Sequence, residues 1–235
     1  MTKFKWIFLL LLFIPFFMLD AQEIQHKKRK IYREDTEWAN FWMEKVNNTD
    51  LPHILLIGNS ITQRYSEEVA NKLRGKAYCS KLTTSKSLGD PAYLTEVELA
   101  LQHNTFDVIH FNNGLHGHEY SEVDYISAFP ELLALFKKYA PNAKLIWATI
   151  TPVRNKQNVQ KLESFNDRVI ERNKLVLEYL NNEKIIIDDL YSIMINHPEY
   201  YDKGDGIHPN KDGVKRLSEQ VYSILLNAIN SLDNK

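Results

Sequence analysis

Apolar residues along this chain fall into short continuous runs separated by longer stretches in which they recur every three or four positions. Residues 53–57 form one such run, closed by Gly58, and residues 77–82, 106–111, 143–150 and 185–187 read the same way. Short apolar runs bounded by turn residues predict strands buried on both faces, as in parallel sheets. The stretches between them carry a helical period. Val69 and Leu73 mark a helix over 62–74, and Leu94, Val97 and Leu101 one over 91–102. Val123, Ile126, Phe129, Leu132, Leu133 and Phe136 predict a helix over 120–139. Val169, Leu175 and Val176 predict one over 164–180, and Leu217, Val221, Leu225 and Ile229 one over 214–229. Trp38, Phe41, Trp42 and Lys45 also share a helical face, so a further helix is expected near 35–46. Strands alternating with helices of this length predict an α/β fold, a three-layer α/β/α sandwich around a five-stranded, mainly parallel sheet.

The first residues depart from this alternation. Lys3 and Lys5 precede an apolar run over 6–19, followed by Asp-Ala-Gln. A basic start, a short apolar core and a small residue predict a secretory signal over 1–21, cut after Ala21. The alternative is an uncleaved membrane anchor, but the run falls short of the roughly 20 residues that span a bilayer comfortably, so cleavage and no stable membrane insertion afterwards are expected. Residues 22–50 read as a polar leader with the helix near 35–46, and residues 51–235 as one α/β domain.

Charge narrows the partners. Lys and Arg total 29 against 30 Asp and Glu, a formal net charge of −1. A nucleic-acid partner is not expected, because nothing supplies the basic excess that neutralises phosphates. Cys79 is the single cysteine, so neither an intramolecular disulfide nor a thiolate metal site is available. It lies in an expected strand with no sharp turn beside it, and reads as a buried structural thiol.

Four segments at expected strand ends carry candidate chemistry, where α/β sheets gather their functional groups. Gly58-Asn59-Ser60-Ile61-Thr62 follows a strand and opens a helix, which puts Ser60 and its N–H at a helix N-terminus, as nucleophile or as cap. Asp205-Gly206-Ile207-His208 precedes the last helix and places an Asp three residues before a His, enough for a base and the acid that orients it. Asn112-Asn113-Gly114-Leu115-His116-Gly117 is a polar turn after the strand over 106–111, and Gly89 can offer a bare backbone N–H from the loop 85–91.

Taken together, in this order, the segments resemble the SGNH (GDSL-like) hydrolases, whose four blocks carry Ser, Gly, Asn and His. The resemblance spans about residues 52–230. Residues 58–62 match the G-D-S-x-T block with Asn59 in place of Asp, Gly89 fits the second-block glycine, and residues 205–208 fit D-x-x-H. The third block departs from G-x-N-D: Gly114 fits its glycine and His116 takes the Asn position. The N-N-G-L-H-G form is similar to that of an exported bacterial subgroup. The resemblance implies a flavodoxin-like sandwich, Ser60 as nucleophile, His208 as base and Asp205 as orienting acid. It also implies an oxyanion hole from Ser60, Gly89 and a third donor. That donor is His116, through a neutral ring N–H, or Asn113.

The implied activity is hydrolysis of a small acyl ester, acetyl by expectation, on a glycan or other small molecule, with no cofactor. A lipase or thioesterase of the same type, or a non-catalytic glycan-binding protein on this scaffold, is the alternative. Asn59 and Arg154 are weaker candidates for substrate contact. Asp188 and Asp189 read better as helix caps than as a triad acid. His116, His118 and Glu119 share one short loop, which rarely supplies a complete metal site, so no metal is expected.

Overall fold

The computed structural model describes residues 30–232; the expected signal over 1–21 lies outside the described residues. The strands are β1 (Ala39–Trp42), β2 (His53–Gly58), β3 (Tyr78–Thr84), β4 (Val108–Phe111), β5 (Lys144–Ala148) and β6 (Ile186–Asp188). They form one sheet in the order β1-β3-β2-β4-β5-β6. Strands β2 to β6 pair in parallel, and β1 lies antiparallel along the outer edge of β3. Every residue of β2 and β4 is buried, as their apolar runs require.

The helices are α1 (Ser60–Leu73), α2 (Pro91–Gln102), α3 (Glu122–Ser127), α4 (Phe129–Tyr139), α5 (Phe165–Leu180), α6 (Leu190–Ile195) and α7 (Lys211–Asn230). Helices α1 and α7 pack together against one face of the sheet, while α2, α3, α4 and α5 form a connected layer on the other. This is the expected three-layer sandwich. Among the described residues no helix is long and apolar enough to cross a membrane.

Two expected helices are corrected. The segment near 35–46 contains strand β1, with Ala39 opposite Thr84 and Trp42 opposite Lys81. Without it the outer edge of β3 would present unpaired backbone groups, and satisfying them outweighs a helical spacing of aromatics. All four residues of β1 are exposed, so the strand raises the sheet from five strands to six without adding to the core. The helix over 120–139 is broken at Ala128, where α3 ends and α4 begins. Pro130 lies in the first turn of α4, where a missing N–H is tolerated; inside a continuous helix it would remove a hydrogen bond.

The central strand places the site. The chain goes from β2 outward to β3, then crosses back to β4 on the other side of β2. The carboxyl end of β2 is therefore the switch point of the sheet, where α/β folds open a crevice.

Cys79, on β3, is 5% exposed beside a cavity of about 610 Å³ between α1 and the β1–β3 edge. Burial pushes its thiol up to about 12, so thiolate is scarce at neutral pH even for a reagent that enters the cavity. An aromatic disulfide reagent should react with Cys79 far more slowly in the folded protein than in denaturant. Equal rates in the two states would contradict this burial.

Candidate active site

The turn after β2 is shaped by close contacts. A Cβ at Gly58 would lie 2.0 Å from Thr62 Oγ1, so only glycine lets the first turn of α1 fold back on the strand. Thr62 Oγ1 is in turn 3.1 Å from the hydroxyl of buried Tyr65. Asn59 is the N-cap of α1, its Oδ1 accepting from the Ile61 N–H at 3.0 Å. It is 1% exposed, which corrects the expectation that it contacts substrate. Ser60 is thereby the first residue of the helix, at the switch point.

His208 comes to Ser60 from the loop before α7. Ser60 Oγ and His208 Nε2 are 2.8 Å apart, and His208 Nδ1 is 2.7 Å from Asp205 Oδ2. With the Nδ1 proton donated to the carboxylate, Nε2 is the acceptor for the serine hydroxyl. Asp205 Oδ1 accepts from the N–H groups of Ile207 at 2.9 Å and His208 at 3.0 Å. Partial burial works against ionisation of Asp205, but these bonds and the His208 ring outweigh it and hold the carboxyl below the usual carboxylate range.

The loop is clamped from behind by Arg154. Its N–H donates to the Gly206 carbonyl at 2.7 Å, and a Cβ at Gly206 would sit 2.1 Å from the Arg154 carbonyl oxygen. Gly206 also has φ +77°, in the left-handed region. The Arg154 guanidinium donates to the carbonyls of Val159 and Ile195 and lies over the ring of Tyr201. At 4% exposure it has no access to substrate, so the expected substrate contact is corrected to a support for the Asp205–His208 loop.

The loops after β3 and β4 flank the exit of β2 and lean on each other. Asn113 bridges them: Oδ1 accepts from the Leu88 N–H at 2.8 Å and Nδ2 donates to the Lys86 carbonyl at 2.9 Å. Its amide is thus a strut between loops, 2% exposed. Gly89 is packed under Tyr120, whose ring a Cβ would meet at 2.7 Å. The Gly89 N–H has only a long 3.4 Å contact to Ser87 Oγ, which leaves it weakly engaged. His116 is partly exposed, and its Nδ1 lies 2.7 Å from Glu34 Oε1.

Helix α5 holds these loops through buried polar side chains that hydrophobic periodicity does not reveal. Arg172, 0% exposed, donates to the carbonyls of Gly114, His116, Gly117 and Tyr120. Asn173 bonds both the N–H and the carbonyl of Ile150, and Asn166 accepts from the Val153 N–H. Their signal was present in the sequence only as polar residues interrupting the inner face of a helix. Asp189 caps α6, accepting from the Ser192 N–H, and Asp188 is buried against His110 and Gln220, away from His208. His118 stacks on Phe165, and burial lowers its pKa.

No family model matches the chain, and no curated protein matches it. Solved structures do match. A GDSL-like lipase from Bacteroides thetaiotaomicron VPI-5482 superposes with a TM-score of 0.61 at 15% identity, covering 75% of this chain and 89% of its own. An acetyl esterase mutant with acetate ion gives 0.61 at 15% identity over 77% and 100%. A carbohydrate esterase family 3 structure from Talaromyces cellulolyticus gives 0.58 at 15% identity over 77% and 99%. At these identities the likeness establishes a shared fold.

The tight fit of the base loop generates a prediction. Gly206→Ala should keep the fold yet cost roughly 10²-fold in kcat/KM toward an activated acetyl ester, since misplacement by about 1 Å is enough for that. Wild-type kinetics in this variant would show that the loop does not set the position of His208.

Proposed function

We propose that the chain is an exported serine esterase of the SGNH (GDSL-like) type that removes a small acyl group, acetyl, from a carbohydrate. The observation that carries this reading is the unbroken hydrogen-bonded chain Ser60–His208–Asp205 at the switch point of the sheet. A binding protein has no need of a serine hydroxyl aligned on an imidazole that is itself aligned on a carboxylate.

In this reading Ser60 Oγ attacks the ester carbonyl while His208 Nε2 takes its proton. The same proton then goes to the leaving alcohol, and an acyl group remains on Ser60. Water, deprotonated by His208, attacks the acyl carbon and releases the acid. The depressed Asp205 carboxyl stays ionised through the neutral range, so it can balance the imidazolium formed in each step. The N–H groups of Ser60 and Gly89 stabilise the oxyanion. His116 is the third donor, because Asn113 is committed to joining the loops. Acetyl and carbohydrate are chosen because the matched structures include an acetyl esterase with acetate ion and a carbohydrate esterase. Export rests on the basic and apolar start of the sequence, residues 1–21 acting as the signal.

Ser60→Ala and His208→Ala should each lower kcat for p-nitrophenyl acetate by about 10⁴ or more, with circular dichroism unchanged. The wild type should release acetate from acetylated xylo-oligosaccharides. Full activity in Ser60→Ala would remove the nucleophile assignment; no acetate release from the sugar, with the activated ester still cleaved, would remove the carbohydrate assignment alone.

A further inference from the structure

The segment before β1 is strapped across both loops that flank the exit of β2. The Tyr32 N–H donates to the Tyr120 hydroxyl at 2.9 Å, and the two rings meet edge-on. Arg33 pairs with Asp90 at 2.5 Å. Glu37 accepts from Lys86 Nζ at 2.8 Å and Ser85 Oγ at 2.6 Å. Burial of Glu37 opposes its charge, but these bonds prevail and lower its pKa. The Trp38 N–H donates to Ser85 Oγ, its carbonyl accepts from the Ser85 N–H, and its ring lies edge-on to His116. Glu34 meets the same imidazole with its carboxylate, 2.7 Å from Nδ1.

We propose that Glu34 is a positioning residue of the oxyanion hole, acting through His116; this rests on the esterase reading above. A carboxylate only accepts, so the bond to Glu34 places a proton on Nδ1. A neutral ring in that tautomer would turn the lone pair of Nε2 toward the oxyanion, which repels it. With Nδ1 held by Glu34, the ring can donate from Nε2 only in a form that also carries a proton there, with Glu34 as counter-charge and orienting partner. Nε2 makes no hydrogen bond among the described residues, and the side chain is 18% exposed. The Arg172 bond to the His116 carbonyl and the Glu34 bond to its ring then fix the residue at both ends. An Asn at this position is a neutral donor and needs no carboxylate behind it.

The test is a double-mutant cycle with p-nitrophenyl acetate, read beside labelling of Ser60 by a fluorophosphonate and thermal unfolding. Glu34→Gln, a near-isosteric change at an exposed side chain, should lower kcat about tenfold with KM little changed, less than the 10²–10³ of deleting a donor. His116→Asn should retain much of the activity. In that background Glu34→Gln should change kcat by less than about twofold, since the pair no longer acts as a unit. Equal losses in both backgrounds, or a silent Glu34→Gln beside intact Ser60 labelling, would overturn the role of Glu34 and leave the esterase reading standing. A wild type that neither labels nor hydrolyses would sink both.

Discussion

Strand β2 is hydrogen-bonded on both edges and buried on both faces, and the site follows from that constraint. A chain leaving such a strand can go only outward from its carboxyl end, between the loops of its two neighbours. Gly58 permits the abrupt turn into α1, Asn59 caps the helix, and Ser60 takes the first helical position. The hydroxyl is thus placed by the sheet, not by a flexible surface loop. His208 reaches the same point from the far side because α7 packs along α1, which brings the loop before α7 beside the start of α1.

Burying loops at a sheet edge leaves backbone groups without water, and each unmet group costs about 1–3 kcal/mol. Helix α5 answers this with polar side chains. Arg172 collects four carbonyls of the third-block loop, and Asn173 and Asn166 serve the chain after β5. Asn112 and Asn113 do the same from within their own turn, to Ala148 and to the loop after β3. The left-handed glycines Gly114 and Gly117 let that turn close, with Ile150 and Ser87 packed where a Cβ would stand. The result is a frame in which buried backbone groups of these loops are met by side chains, the kind of support that preorganised donors need in the esterase reading proposed above.

Strands β2 and β4 were legible because burial on both faces leaves an uninterrupted apolar run, whereas β6 kept its apolar run with Ile186 and Ile187 exposed; the motif residues were legible because they sit at strand ends. Ser60 and the Asp205–His208 pair, picked from two separated segments, converge to within hydrogen-bond distance. Strand β1 was hidden because an exposed edge strand buries nothing, and Trp38, Phe41 and Trp42 happen to repeat at helical spacing. Arg154 and Asn59 looked available for substrate because polar residues are ordinarily exposed; both are buried and hold backbone. The same rule concealed Arg172, and the contact between Glu34 and His116 joins residues 82 positions apart that no local pattern connects. Long-range polar contacts leave no periodic trace in a sequence.

The central claim is that Ser60 becomes acylated. Mixing the protein with an activated acetyl ester, quenching in acid within the first turnover and mapping peptides by mass spectrometry tests it directly. The account predicts one acetyl group, on the peptide containing Ser60 and on that serine, which disappears on a chase in buffer. Acetyl found on a different residue, or hydrolysis with no acyl-protein at any time, would contradict it.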